Sequence, residues 1–147
     1  MVDMSKFVVI VLCHCRPYDT TTVDTLRKFK YTGRIILLLD DEDETIEQYR
    51  TVFPNEIIEV FSKDIALQTT DIMNNVVNKN CAVYARNTCF EVARKHGFKY
   101  FCQMDDDYTT IPYRYMIGNT LYRENDVNLD LVFEYYLDFM SVSDKIG

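Results

Sequence analysis

The sequence predicts an α/β domain: a mostly parallel central sheet with helices on both faces, followed by a C-terminal hairpin and helix. Three observations predict it. Short, nearly continuous apolar runs recur at Lys6–Cys13, Arg34–Leu39, Glu56–Phe61 and Phe98–Met104, as in strands covered on both faces. Segments of helical spacing separate them, which argues for parallel strands joined by right-handed crossovers. Two of the runs also stop at carboxylates, Asp40-Asp41-Glu42-Asp43-Glu44 and Asp105-Asp106-Asp107, where an open parallel sheet places its ligand crevice.

The first strand, Lys6–Cys13, is broken by Arg16-Pro17-Tyr18-Asp19. Asp19 or a following threonine can cap a helix in which Val23, Leu26 and Phe29 or Lys30 keep helical spacing until Gly33. After the second strand, Ile46, Tyr49, Arg50 and Phe53 suggest a short helix stopped by Pro54, with acids in its first turn that suit the helix dipole. The third strand leads into a weakly periodic helix over Asp64–Asn75 and a polar loop over Asn74–Asn80.

Cys81–His96 is the most informative helix. Ala82, Ala85, Cys89, Val92, Ala93 and His96 form an inward stripe, with Tyr84, Asn87, Thr88, Glu91, Arg94 and Lys95 on the other side. Arg86 interrupts this order. It falls on or beside the inward face near the helix N-terminus, where it needs an anionic partner or must extend its head to water. Gly97 ends the helix before the Asp105 strand. Thr109–Ile117 then reads as a strand, Gly118-Asn119 as a turn and Leu121–Arg123 as a return strand, with Pro112 marking an edge. Asn125 or Asp126 can cap a last helix with Leu129, Val132, Phe133, Tyr136, Leu137 and Met140 on one stripe.

Composition bounds the function. The 147 residues suffice for one core, and 48% hydrophobic with 27% charged residues describes an ordered chain without low-complexity segments. The apolar run Phe7–Cys13 is too short to span a bilayer and no cleavage site follows it, so a cytoplasmic location without a membrane span is the expectation. The five cysteines, Cys13, Cys15, Cys81, Cys89 and Cys102, mostly lie in apolar runs or on a helix face, as reduced core cysteines do. Cys13-His14-Cys15 lacks the second close pair that a structural zinc site needs. A net charge of −7 argues against binding a nucleic-acid backbone through clustered cations, but a bridging metal would still admit a phosphate ligand.

In an extended chain Asp105 and Asp107 project together and Asp106 points away. That gives two hard oxygen ligands suited to Mg²⁺ or Mn²⁺; the alternatives are a solvated acidic loop or Asp107 capping a turn. No Gly-x-Gly-x-x-Gly or Walker loop is present, so a metal would have to replace the backbone phosphate cradle.

Phe7–Cys13 with Arg16-Pro17, Ile35–Leu39 with Asp40-Asp41, Ala85-Arg86-Asn87 on a helix and Met104-Asp105-Asp106-Asp107, in that order, resemble nucleotide-sugar glycosyltransferases of the A-type, family-2-like fold with an Asp-x-Asp motif. The resemblance runs over roughly residues 6–108 and implies a Rossmann-like nucleotide-diphospho-sugar transferase fold. It implies that Arg16 and Pro17 border the nucleotide, that Asp40 or Asp41 binds the base or ribose, and that Arg86 faces the diphosphate or sugar. Asp105 and Asp107 would hold Mn²⁺ or Mg²⁺, Asp105 also touching ribose or sugar, while Asp106 is structural. The donor implied is a nucleoside-diphosphate sugar, UDP-linked by the family's commonest habit; the acceptor is open, a modified nucleic-acid base included.

Residues 1–147 then form a single nucleotide-sugar-binding domain, either cut before an acceptor-binding half or a minimal donor-binding domain. No carboxylate after Asp107 matches the general base of an inverting relative, and the acidic run after Asp40-Asp41 lacks that family's usual glycine and serine. Two other classes compete: a nucleotidyltransferase, which usually has a glycine-rich basic loop after its first strand, and a non-catalytic nucleotide-binding or interaction module.

Overall fold

The computed structural model describes residues 2–71 and 78–143. After a 3₁₀ turn over Met4–Lys6, the chain alternates β1 (Phe7–Leu12), α1 (Thr22–Lys28), β2 (Arg34–Asp40), α2 (Ile46–Val52), β3 (Ile57–Phe61), α3 (Lys63–Thr69), α4 (Val83–Lys95) and β4 (Tyr100–Asp105). A hairpin, β5 (Tyr113–Ile117) and β6 (Thr120–Glu124), and the helix α5 (Leu129–Val142) complete it.

The first four strands form one parallel sheet in the order β3-β2-β1-β4. The strand period of two splits β1 and β2 between two cores. Phe7, Val9, Val11, Ile35, Leu37 and Leu39 pack with α1, Tyr49 of α2 and α5, whereas Val8, Ile10, Ile36 and Leu38 pack with Cys89, Val92 and Ala93 of α4. The result is a four-stranded parallel sheet flanked by helices, consistent with a Rossmann-like arrangement. The chain steps from β1 to β2 in one direction and returns to the other side of β1 with β4, so the topological switch point lies between β1 and β4.

Several boundaries differ from the expectations. α1 ends at Lys28, and Lys30 takes the left-handed turn with φ 64°, so Gly33 is not the helix stop. Gly33 is required for another reason: a Cβ there would collide with the Tyr31 ring. α3 stops at Thr69 because Thr70 is extended; the rest of the expected helix and the start of the expected loop fall on residues 72–77, outside the described residues. Tyr84, assigned to the outer side of α4, is buried. Ala82, expected on the inward stripe, is exposed instead.

In the last third, Pro112 precedes rather than joins β5, since it has no N–H to give a ladder. α5 is capped by the Asn128 side chain, which accepts from Leu131 N at 3.3 Å, in place of Asn125 or Asp126. Tyr136 of the expected stripe is exposed, leaving Leu129, Val132, Phe133, Leu137 and Met140 to seat the helix. No helix among the described residues is long and apolar enough to cross a membrane. All five cysteines are unpaired.

Candidate functional site

Outside the carboxyl ends of β1 and β4 lies a cavity of about 430 Å³ whose wall includes His14, Arg16, Asp40, Lys63 and the triplet Asp105–Asp107. A cleft of about 510 Å³ between β3, α3 and α4 is larger, but it lies away from the switch point and the acidic triplet is not on its wall. Convergent charge, rather than volume, marks the first cavity as the candidate site.

Pairing of Leu12 with Asp105 carries the triplet to the level of the β1 loop. Its backbone and that of Tyr108 are clamped by threonines of α1 and its N-cap, Thr21. Thr22 N–H donates to Asp106 O at 3.2 Å, Thr22 Oγ1 donates to Asp105 O at 2.6 Å, and Thr21 and Thr25 both donate to Tyr108 O. The side chains then diverge in role. Asp107 is exposed. Asp105 is half-exposed and accepts from Arg86 Nη2 at 2.8 Å, so the inward-side arginine finds its anionic partner at the end of β4. Gln103 fixes the same helix end by donating from Nε2 to Arg86 O at 2.8 Å.

Asp106 is only 3% exposed and pairs with Arg16 across the mouth of the β1 loop. Burial pushes its carboxyl above the ordinary value, against the opposing pull of the Arg16 guanidinium. Its Oδ2 is buried with no hydrogen-bond partner, a defect that costs on the order of 1–3 kcal/mol. Asp106 is therefore the triplet's inward member and Arg16 its counter-charge.

A second network holds the β2 end. Asp40, buried, accepts from His14 Nδ1 at 3.0 Å on Oδ2 and from Lys63 Nζ and Glu42 N–H, each at 3.1 Å, on Oδ1. Lys63 is itself buried. Burial works against its ammonium, but Glu42 and Asp40 outweigh that and hold its pKa above the ordinary value. Asp41 is exposed, and its Oδ1 accepts Lys63 N–H at 2.9 Å, a bond that holds its pKa down. Asp43 is buried and accepts from Cys15 N–H, Thr45 N–H and Thr45 Oγ1; burial opposes its charge, yet these bonds keep its pKa low.

Of the residues the sequence singled out, Arg16, Asp40, Asp105 and Asp107 share the cavity wall and Arg86 reaches it through Asp105. Pro17 is buried, and neither it nor Asp41 is on that wall. Two features of the wall and its support escape the sequence pattern. Lys63 gives no signal beyond its place just after an apolar strand, and the run Thr20-Thr21-Thr22 reads as helix caps although the Thr21 and Thr22 hydroxyls serve the acidic loop and Thr20 Oγ1 donates to Arg16 O. Among the described residues, only His14, Cys15 and Asp43 bring three ligand atoms within 4.8 Å of one another. The acidic triplet alone does not close a metal cage.

A switch-point crevice walled by carboxylates and cations suits a polyanionic substrate, and comparison with known families defines the class as glycosyltransferase. The family whose model matches residues 7–147 is TET-Associated Glycosyltransferase, and the chain belongs to that family. No curated protein and no solved structure gives a significant match.

Proposed function

We propose that the chain binds a nucleoside-diphosphate sugar, UDP-linked by the resemblance, at the β1/β4 crevice and transfers its sugar with a divalent cation held by Asp105 and Asp107. The observation that supports this most is that Asp105, half-exposed, and Asp107, exposed, line one cavity that also carries Arg16 and Lys63. The donor set fits a hard ion: it is all oxygen and supplies two carboxylates, and Mg²⁺ or Mn²⁺ normally completes such a pair with water and substrate phosphates. When bound, such an ion supplies Lewis-acid neutralisation of charge on the departing diphosphate.

The protein's own part is orientation and charge. The Arg86–Asp105 pair has both side chains about half exposed, so it contributes no more than about 1 kcal/mol and is readily exchanged. As the diphosphate arrives, Arg86 leaves Asp105 free to act as a ligand and donates instead to phosphate oxygens, where charge grows in the transition state. Arg16 stays on Asp106 and borders the nucleotide. Asp40 takes a positioning role: with donors on both of its oxygens, it sets the His14 ring and the Lys63 ammonium, which present donors to base or ribose.

The test is thermal unfolding with UDP and UDP-sugars, with and without Mn²⁺, in the parent protein and in Asp107→Ala. Ligand at about 100 times its Kd adds roughly 2.7 kcal/mol, on the order of 5–10 °C at this size. The expected shift needs both metal and nucleotide and disappears in Asp107→Ala, while the variant's own Tm is unchanged because Asp107 is exposed. A full shift without metal, or one retained in Asp107→Ala, rejects the proposal.

A further inference from the structure

We propose that His14, Cys15 and Asp43 form a second metal site, for a soft or borderline divalent cation such as Zn²⁺, joining the loop after β1 to the loop after β2. It is distinct from the hard-ion site at Asp105 and Asp107 and does not depend on the glycosyl-transfer mechanism. A ring nitrogen of His14, Sγ of Cys15 and a carboxylate oxygen of Asp43 lie within 4.8 Å of one another. Tetrahedral coordination with ordinary Zn–S, Zn–N and Zn–O bonds needs separations of about 3.5 Å. Two of the three side chains, His14 and Cys15, are exposed and can close that difference by rotation, while the third is buried and fixed.

The surroundings of these groups are those of ligands set in place. His14 Nδ1 is hydrogen-bonded to Asp40 Oδ2 at 3.0 Å, a carboxylate–imidazole contact that leaves the Nε2 lone pair for a metal and makes the ring a better donor. Cys15 is one of two non-glycine residues among those described with positive φ, at 52°. Its N–H donates to Asp43 Oδ2 at 2.8 Å, so the carboxylate that would share the metal also holds the thiol's backbone in this uncommon conformation. Asp43 in turn is oriented by Thr45, whose N–H donates to Oδ1 at 2.7 Å and whose hydroxyl donates at 2.6 Å. A thiolate, an imidazole and a carboxylate select Zn²⁺ or Co²⁺ over Mg²⁺, and three protein ligands leave a fourth position open.

The site also touches the nucleotide crevice. His14 lies on the crevice wall, and Asp40, its partner, is shared with Lys63. A bound metal would therefore fix the β1 loop that carries Arg16.

The test is titration of the reduced, full-length chain with Co²⁺ in excess Mg²⁺, which saturates hard oxygen sites without competing for a thiolate. The absorption spectrum reports both the d–d bands of tetrahedral cobalt and the thiolate-to-cobalt charge-transfer band. Expected are one equivalent bound with a thiolate band, displacement by Zn²⁺, and loss of that band in Cys15→Ser. Affinity should fall by about tenfold or more in His14→Gln and in Asp40→Asn, the range for lost ligand support. Cys81→Ser, a neighbouring cysteine on the crevice wall, should keep the band. The exposed ligands carry the test because Asp43 also holds three loop hydrogen bonds. No binding, binding without a thiolate band, or a band that survives Cys15→Ser overturns the assignment.

Discussion

The parallel sheet and the β5–β6 hairpin are both rich in large apolar side chains, yet they treat them oppositely. In β1 and β2 nearly every side chain is buried, and the strand ends are tied down by threonines, carboxylates and a buried lysine. In β5 and β6 all ten residues are exposed, including Tyr113, Tyr115 and Tyr122, whose rings stack at centroid distances of 5.6 Å. Burial on two faces fixes the register of a strand and so the position of the loop at its end. A two-stranded ribbon with neither face covered carries its aromatic ladder alone and is marginal in water. The charges of the crevice are thus built into the sheet's end, and the hairpin is an appendage of it.

Ile10→Ala is the largest break of this contrast. Ile10 is fully buried in the α4-side core, and truncation there costs about 3–4 kcal/mol, on the order of 10 °C, read as a drop in Tm. A drop of only a few degrees would mean that the sheet is less tightly built than its burial states.

Arg86→Ala comes next and sharpens the site itself. If Arg86 donates to developing charge as proposed, its removal should lower transfer by about 100-fold, near 2.7 kcal/mol. Metal binding without nucleotide should strengthen, because Asp105 loses its competing cation. A steady-state assay paired with Mn²⁺ titration separates these two effects. Weaker metal binding in Arg86→Ala would refute the exchange between arginine and metal.

The strands were legible because continuous β-branched runs between breakers have few alternatives; all four lie within two residues of their expected bounds. The triplet was legible as a place and less so as geometry. Asp106 is buried between two more exposed neighbours, but it sits in a turn after β4 and not in the extended chain the alternation assumed, and sequence cannot say that the inward side holds Arg16 and an unsatisfied oxygen. Stripe counting misplaced Tyr84 because a tyrosine's long ring can bury from a flanking position where alanine cannot reach. The resemblance implies Asp40 or Asp41 as the ligand of base or ribose; that Lys63 and His14 already occupy Asp40 depends on α3 and the β1 loop meeting there, a tertiary fact. The exposure of the hairpin was hidden for the same reason: Tyr, Met and Ile look alike whether something covers them or not.

Acid titration has a smaller expected effect and a definite sign. Asp43 and Glu59 have depressed folded-state pKa values, Glu59 through Lys95 and His96 against the cost of burial. Their stabilisation is present above their unfolded values, about 4, and is lost as pH falls through the folded ones. Asp106 runs the other way: with its pKa raised, it disfavours the fold as pH rises past about 4 and is relieved by protonation. Tm should therefore stay level or rise slightly from pH 7 towards the Asp106 titration, then fall steeply below about pH 4. In Asp106→Asn the early rise should vanish and the later fall remain, whereas a steady decline from pH 7 in the parent would place the dominant titration elsewhere.

Tyr115→Ala has the smallest expected effect and tests the contrast most directly. Tyr115 stands opposite Tyr122 and stacks on both Tyr113 and Tyr122, so its removal breaks the whole ladder on that face. Cross-strand and aromatic pairs of this kind contribute roughly 0.5–1.5 kcal/mol each, enough to melt an isolated hairpin. If the hairpin unfolds by itself, amide exchange across β5 and β6 should accelerate strongly while global Tm moves by no more than about 3 °C. A fall in Tm matching that of Ile10→Ala would make the hairpin part of the same cooperative unit, and its exposed tyrosines would then belong to the scaffold that holds the acidic triplet.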